Sequence, residues 1–238
     1  VESKATKKVS TMPNIKSAAP FWTEDFSNGI PSTWTNSTAP WEYRGTSTSP
    51  NNSSGGRGAY SGINNNPATN SPIASSTVSN GFIIFDSDYY DNNGVAGAFG
   101  SGIYPAPHNG ELMTDAIDLS MYSDVMIRMN SYYRTFAGQA FVRFYINGNF
   151  DSEIQVHADI DVNDATTNNA VALVRLPTSV PGNANVQIAF VFEGTTNLVN
   201  SMSGYYFWMI DDIELMETPA HLMDVTDVVH CGWSSTPF

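Results

Sequence analysis

The sequence predicts an all-β sandwich. Short runs of apolar and aromatic residues recur along the chain, and Gly, Pro, Asn and Ser separate them. Runs of this length, bounded by turn residues, are typical of β-strands. No segment keeps the 3.6-residue apolar period of an amphipathic helix, so a βαβ protein is disfavoured. We expect roughly nine or ten strands and no helix.

The first half of the chain is expected to hold an early strand, a long polar loop and a buried strand. The first strand covers residues 21–26, and the Gly and Pro of residues 28–31 predict a turn after it. Residues 45–80 are almost all Ser, Thr, Asn, Gly and Pro, and a loop this long in a compact domain is often functional. Residues 81–86 are a short apolar run, which predicts a buried strand, and residues 86–94 follow as an acidic loop.

A hairpin is the clearest local signal in the second half. Residues 125–134 and 140–146 are two apolar strand candidates. Asn147-Gly148 follows the second of them and is the residue pair preferred in type I′ turns. We therefore expect residues 150–156 to return as the partner strand.

The last strand carries the most informative pattern. Strands are expected at residues 170–176 and 185–193, and then at 205–215. Because side chains alternate across a strand, both faces of residues 205–215 are mostly apolar, and we expect both to be covered. One face holds Tyr206, Trp208, Ile210, Asp212 and Glu214, and the other holds Tyr205, Phe207, Met209, Asp211, Ile213 and Leu215. Adjacent aspartates in such a strand are costly unless something compensates them.

Net charge argues against several partners. The chain has 238 residues and a net charge of −13. All lysines lie in the first sixteen residues, and the remainder holds six Arg against twenty-two Asp and Glu, which gives −16. So acidic a surface repels nucleic acid and anionic membranes, and it attracts cations.

The two terminal segments are expected to lie outside the folded domain. We expect residues 1–20 to be a flexible basic leader, residues 21–216 to form the domain, and residues 217–238 to be a linker or the start of a further domain of a longer chain.

Cys231 is the sole cysteine, so no internal disulfide forms. No apolar run is long enough to span a membrane, so we expect no membrane insertion. The Asn, Ser, Thr and Gly content favours an extracellular bacterial protein.

Four short motifs carry a family resemblance. Residues 25–34 contain Asp-Phe, Gly-Ile-Pro and Trp in order; residues 80–86 read Asn-Gly-Phe-Ile-Ile-Phe-Asp; residues 112–119 end in Ile-Asp-Leu; and residues 208–213 read Trp-Met-Ile-Asp-Asp-Ile. In this order they resemble the cleaved-adhesin and MAM-like domains of secreted or surface proteins of Bacteroidetes-type bacteria. The resemblance covers residues 21–216.

This resemblance implies a fold and a set of roles. It implies a jelly-roll β-sandwich of the galactose-binding-like or MAM-like type, often with a structural calcium ion. Such domains serve in adhesion, glycan binding or as accessory modules beside enzymes, and many are exported by type IX secretion. The polar loop of residues 45–80 matches no feature of that family, so the resemblance leaves the ligand open.

Acidic residues predict where calcium would bind. Ca²⁺ takes six to eight oxygen ligands, often from Asp, Glu and backbone carbonyls. The first and last strands of such jelly rolls lie close together, which would bring their carboxylates together. The predicted ligands are Glu24, Asp25, Asp86, Asp88, Asp211 and Asp212. Asp159, Asp161 and Asp164 repeat the spacing of Asp86, Asp88 and Asp91. The alternative for each group is a solvated loop, or a strand end whose carboxylates accept backbone N–H groups.

Aromatic residues beside the polar loop predict a ligand site. Aromatic rings can stack on sugar rings, and the planar fork of Arg can stack and donate hydrogen bonds at once. The predicted ligand-binding residues are Trp41, Tyr43, Tyr60, Tyr89, Arg44 and Arg57. The alternative is that the aromatics fill the core and that the arginines pair with acids.

Catalytic motifs are missing from the sequence. It has no G-x-S-x-G, no H-E-x-x-H and no Gly-rich phosphate loop before a helix. The favoured function is an extracellular, non-catalytic module that binds a glycan or a protein, stabilised by calcium. The alternatives are a secreted hydrolase with its site in the long loops and a structural spacer of a larger surface protein.

Overall fold

The computed structural model describes residues 19–44, 55–62, 71–194 and 204–218. Within them lie eleven strands, one short α-helix and one 3-10 turn (Val78–Asn80). The strands are β1 (Trp22–Glu24), β2 (Thr35–Asn36), β3 (Glu42–Arg44), β4 (Phe82–Phe85), β5 (Asn109–Met113), β6 (Val125–Thr135), β7 (Gln139–Ile146), β8 (Asn149–Val156), β9 (Val171–Arg175), β10 (Val186–Glu193) and β11 (Tyr206–Glu217), and the helix is α1 (Ser87–Asn92).

Two antiparallel sheets form a jelly-roll β-sandwich. One sheet has the order β3-β4-β11-β6-β9, with β1 also paired to β11, and the other has the order β2-β5-β10-β7-β8. Their facing surfaces enclose one large apolar core, in which Trp41, Phe85, Phe190 and Trp208 are buried. The prediction of an all-β sandwich is therefore confirmed. The domain boundaries remain a prediction, because most of the two terminal segments lies outside the described residues.

The predicted hairpin joins β7 to β8. Asn147 and Gly148 have φ values of 52° and 77°, as the two central positions of a type I′ turn require. β7 and β8 pair antiparallel from Ile146 opposite Asn149 onwards. Sequence and structure agree here because the turn chemistry is local.

β11 is central and covered on both faces, as its composition predicts. Trp208 and Ile210 face the core between the sheets. Phe207 and Met209 face outward into a second apolar cluster that includes Ile73, Phe82 and Ile84. Residues 71–80 of the long polar loop run beside this outer face, where Ile73 is buried. Part of the long loop thus serves as a cover of the sheet.

A β-bulge changes the face pattern predicted for the second half of β11. The register to β6 shifts between Asp211 and Glu214, and Asp212 has a left-handed φ of 49°. An extra residue at a bulge reverses the alternation of the side chains after it. Ile213 and Leu215 consequently join the same core as Trp208, so the face predicted for these two residues was wrong.

The predicted acidic loop after β4 contains the helix α1. Ser87, Asp88, Tyr90, Asp91 and Asn92 are all buried in it, although the segment is polar enough to suggest a solvated loop. These polar groups have partners in neighbouring loops: Ser87 Oγ lies 2.8 Å from His108 Nδ1, and Asp91 accepts the Gly100 and Ala106 N–H groups at 3.0 Å. Such contacts override the weak local signal. In the described part of the chain, no helix is long and apolar enough to cross a membrane.

Candidate functional site

An aromatic pocket lies among the described residues. Its volume is about 230 Å³. It adjoins the outer-face cluster of β11, so it lies outside the core between the two sheets. The lining residues are Tyr60, Asp88, Phe99, Phe136, Tyr205 and Tyr206.

Several separate segments supply the aromatic walls. Tyr60 stacks on Phe99 with ring centroids 5.3 Å apart and nearly parallel planes. Phe99 meets Tyr205 edge-on at 5.9 Å, and Phe136 meets Tyr205 at 6.1 Å. The Tyr60 hydroxyl accepts a hydrogen bond of 2.8 Å from the Gly97 N–H, which ties the loop before Phe99 to the pocket. Phe99 is 47% exposed, so it is the most accessible of these walls.

The start of β11 is strained where it enters the pocket. Tyr205 and Tyr206 have φ values of 72° and 70°, a left-handed conformation that side-chain-bearing residues rarely adopt. Such residues persist only where their surroundings hold them in place, and they concentrate at functional sites. The Arg134 guanidinium lies 4.3 Å over the Tyr206 ring, and the Tyr206 hydroxyl donates to Asn163 Oδ1 at 2.9 Å.

Arg134 also anchors the loop that carries Tyr60. Its Nη1 donates to the carbonyl oxygens of Tyr60 at 2.8 Å and of Ser61 at 2.6 Å. Arg134 is buried on β6. The carbonyl dipoles and the face of the Tyr206 ring compensate its buried charge. One arginine thereby fixes two walls of the pocket.

Asp88 closes the bottom of this arrangement. Its carboxylate accepts hydrogen bonds from Tyr60 N–H at 2.7 Å, Ser61 Oγ at 3.1 Å and Asn92 Nδ2 at 2.6 Å. Burial raises the pKa of Asp88 to about 6. A methyl group added to Gly58 would lie 2.2 Å from Asp88 Oδ2, so glycine is required for the loop to come this close. Asp88, a predicted metal ligand, holds this loop with its oxygens.

Asp86 and Arg44 form a buried ion pair. Arg44 Nη2 lies 2.9 Å from Asp86 Oδ2, and the same oxygen accepts the Arg57 N–H at 2.8 Å. Burial raises the pKa of Asp86, and the charge of Arg44 opposes that shift. Arg44 is only 1% exposed, so the prediction that it contacts a surface ligand is wrong. The predicted metal ligand Asp86 has arginine as its counter-ion instead.

The remaining predicted ligand-binding residues do not form one site. Trp41 is 2% exposed, donates from Nε1 to the Gly110 carbonyl at 3.1 Å and packs 5.4 Å from Trp208. It is a core residue, so the prediction that Trp41 binds a ligand is wrong. Tyr43 is half-buried and donates to the Asn80 carbonyl at 2.6 Å.

Tyr89 and Arg57 face each other instead of the aromatic pocket. The Arg57 guanidinium lies 3.9 Å over the Tyr89 ring, and Arg57 Nη2 contacts Glu42 Oε2 at 2.6 Å. Of the six predicted ligand-binding residues, only Tyr60 lines the aromatic pocket. Its role there stays a prediction.

The paired aspartates of β11 lie at the bulge. β4 pairs with β11 up to Ile210, and β1 pairs from Ile213 onwards, so Asp211 and Asp212 occupy the gap between two neighbouring strands. Asp211 is fully buried, and burial raises its pKa to about 7.

Hydroxyl groups of one short segment surround these carboxylates. Ser75 and Thr77 donate to Asp211 Oδ2, and Ser76 Oγ donates to Asp212 Oδ2 at 2.7 Å. The described contacts of the pair include no Lys or Arg side chain. Hydroxyl donors compensate a buried charge less fully than a cation does, so the ionised form of Asp211 is costly at this site.

Glu24 is the last residue of β1, which pairs with β11, and Asp25 follows directly after the strand. Glu24 pairs with Ile213 across the β1–β11 ladder. Its Oε1 accepts the Phe26 N–H at 2.7 Å, and Asp25 Oδ1 accepts the Ser27 N–H at 3.0 Å. In the described ranges, no three His, Cys, Asp or Glu side chains are placed as a metal site.

A calcium ion at the bulge would therefore need oxygens other than carboxylates as well. Backbone carbonyls, hydroxyls and water are ligands that Ca²⁺ accepts. Asp159, Asp161 and Asp164 are exposed, which matches the solvated-loop alternative for that group. The calcium site stays a prediction.

Sequence reasoning missed most of the pocket. Phe99, Phe136, Tyr205 and Tyr206 line it but are absent from the predicted site. One signal was available: residues 94–107 carry no charged side chain, as residues 58–85 also do not, and Phe99 is the only Phe among residues 94–107. An uncharged loop with an exposed aromatic residue is typical of an interaction surface.

Comparisons with known proteins found similar structures among the solved ones alone. No family model matches the chain, and no curated protein matches it. Solved structures that are similar include a cleaved adhesin domain of Lys-gingipain from Porphyromonas gingivalis, at 18% identity and a TM-score of 0.44, covering 83% of this chain and 98% of that one. The carbohydrate-binding module TmCBM61, solved in complex with beta-1,4-galactotriose, matches at 11% identity and a TM-score of 0.42, covering 82% and 94%.

An enzyme is among the similar structures as well. The Stig cyclase Fisc from Fischerella sp. TAU matches at 9% identity and a TM-score of 0.39, covering 84% of this chain and 90% of that one. One fold hosts many functions, so the function of this chain has to be argued from its own residues.

Proposed function

We propose that this chain is an extracellular, non-catalytic module that binds a glycan or a protein through the aromatic pocket. The main support for this proposal is the set of five aromatic rings around a cavity of about 230 Å³. Aromatic faces remove apolar surface from water while their edges and hydroxyls remain polar, which suits the apolar face of a sugar ring. The rigid anchoring of Tyr60 and Tyr206 by Arg134 supports a preformed site.

The chemistry of the pocket favours binding over hydrolysis. Glycoside hydrolysis ordinarily requires two carboxyl groups that flank the scissile bond. Among the described residues that line the pocket, Asp88 is the only carboxylate, and its oxygens accept three hydrogen bonds from neighbouring groups. We therefore favour the binding module over the secreted hydrolase.

A secreted or cell-surface location, with export by the type IX route, completes the proposal. Its support is the acidic, Lys-poor body and the four motifs that resemble cleaved-adhesin domains. Electrostatic repulsion argues against nucleic acid as a partner.

We also propose that calcium stabilises the module at the β11 bulge. Asp211 and Asp212 would supply carboxylate ligands, whereas Glu24 on the paired strand lines a separate cavity beside β1. The support is the buried Asp211 carboxyl, whose described contacts include no basic side chain. A bound cation would neutralise this charge and hold β1 against β11.

A polysaccharide panel tests the binding proposal. In native gels cast with single polysaccharides, we expect at least one to retard the protein. The same mixtures should release no reducing ends over several hours. Release of reducing ends would favour the secreted hydrolase. If neither a glycan panel nor a panel of surface proteins bound the chain, the proposal would be contradicted and the structural spacer would be favoured.

A further inference from the structure

A second cavity lies beside β1, which pairs with the later part of β11, whereas the aromatic pocket lies at the start of β11. Its volume is about 260 Å³. β1, the turn before β2 and the segment that follows β5 form its walls. The residues that matter for its chemistry are Trp22, Glu24, Trp34, Thr114 and Asp115, and we call this cavity the tryptophan groove.

Two indole rings form one wall of the tryptophan groove. The Trp22 and Trp34 centroids are 6.4 Å apart, and their planes differ by only 16°. Phe26 meets Trp34 edge-on at 6.0 Å, and Phe26 is fully buried. The core therefore holds Trp34 in place, and Trp22 remains half-buried beside it.

Two carboxylates share the groove with these rings. Glu24 Oε1 accepts the Phe26 N–H at 2.7 Å, and Asp115 Oδ2 accepts a hydrogen bond from Thr33 Oγ1. These contacts orient both groups without neutralising them. The groove lining includes no Lys, Arg or His, and in the described part of the chain neither carboxylate forms an ion pair.

We propose that the tryptophan groove binds an organic cation, that is, an ammonium or guanidinium group. Indole is the best aromatic partner for a cation because its face is electron-rich. Two fixed carboxylates add attraction that a neutral sugar would not use, and the acidic body raises the local concentration of cations. The group can belong to a small molecule or to a Lys or Arg side chain of a partner.

Nuclear magnetic resonance of the indole N–H groups tests this proposal directly. Nα-acetyl-arginine amide should shift the Trp22 and Trp34 signals and leave that of the core residue Trp208 unchanged. Nα-acetyl-citrulline amide, a neutral probe of nearly the same shape, should shift neither. Tetramethylammonium separates the two sources: binding of both cations supports a general cation site, and binding of the arginine probe alone supports a site for a side chain.

Charge-removing variants complete the test. Asp115→Asn keeps the side-chain volume and should weaken binding of the arginine probe by about fivefold, as expected for one partly solvated ion pair. Asp118→Asn removes the same charge from an exposed neighbour outside the groove and should leave binding within about twofold. Equal binding of the citrulline probe, no shift at millimolar arginine probe, or equal weakening by both variants would overturn the proposal. The melting temperatures of both variants confirm folding.

Discussion

Replacing Arg44 with Ala is expected to lower the free energy of unfolding by about 3–5 kcal/mol, because it removes the closest cation from a buried carboxylate. Arg44 and Asp86 are both buried, and their closest atoms are 2.9 Å apart. Asp86 also holds the Arg57 N–H, so the loss should loosen the loop that carries Tyr60. Urea unfolding followed by tryptophan fluorescence measures the effect.

An exposed ion pair provides the matched control. Arg175 contacts Asp124 at 2.6 Å, but both side chains are largely exposed, so Arg175→Ala should cost about 0–1 kcal/mol. The double variant Arg44→Met with Asp86→Leu should recover much of the loss, since an apolar pair of similar volume replaces a buried ion pair well. A loss below about 1 kcal/mol for Arg44→Ala would contradict the buried-pair interpretation.

Calcium is expected to raise the melting temperature by about 5–10 °C at concentrations near 100 times the dissociation constant. The reason is mass action, because the bulge that would hold the ion exists only in the folded state. Asp211→Asn should abolish this increase, whereas Asp161→Asn in an exposed loop should not. Differential scanning calorimetry in calcium and in chelator measures both effects, after elemental analysis has shown that the chelated protein is free of metal.

In chelator at pH 8, the Asp211→Asn substitution is expected to raise the melting temperature of the protein. Burial raises the pKa of Asp211 from 3.8 to about 7, so between these values the folded state holds a proton that the unfolded state has lost. Stability without metal therefore falls as the pH rises through about 7. Asp211→Asn should then stabilise the metal-free protein at pH 8. Identical melting curves of the wild type in calcium and in chelator would contradict the calcium proposal.

The sequence predicted the regular parts of the fold because their signals are local. The Asn147-Gly148 turn and the strands around it follow from backbone preferences of a few residues. The helix α1 and the bulge at Asp212 depend on contacts made by distant segments. Sequence periodicity carries no information about such contacts, so both were missed.

The pocket could be predicted only in small part for the same reason. Tyr60, Phe99, Phe136 and Tyr205 come from segments far apart in the chain, and their meeting depends on the long-range contacts of Arg134 and Asp88. Trp41 misled the prediction because a residue beside a polar loop can still point into the core. Composition identified the right residue types, and only the fold shows which of them come together.

The most direct test of the binding-module account compares Phe99→Ala with Phe150→Ala in native gels that contain a polysaccharide that retards the wild type. Both residues are exposed phenylalanines, but only Phe99 lines the aromatic pocket, and Phe150 lies on β8. The account predicts that Phe99→Ala loses the retardation while its melting temperature stays near that of the wild type, and that Phe150→Ala is retarded as the wild type is. Unchanged retardation of Phe99→Ala would contradict the assignment of the binding site to this pocket.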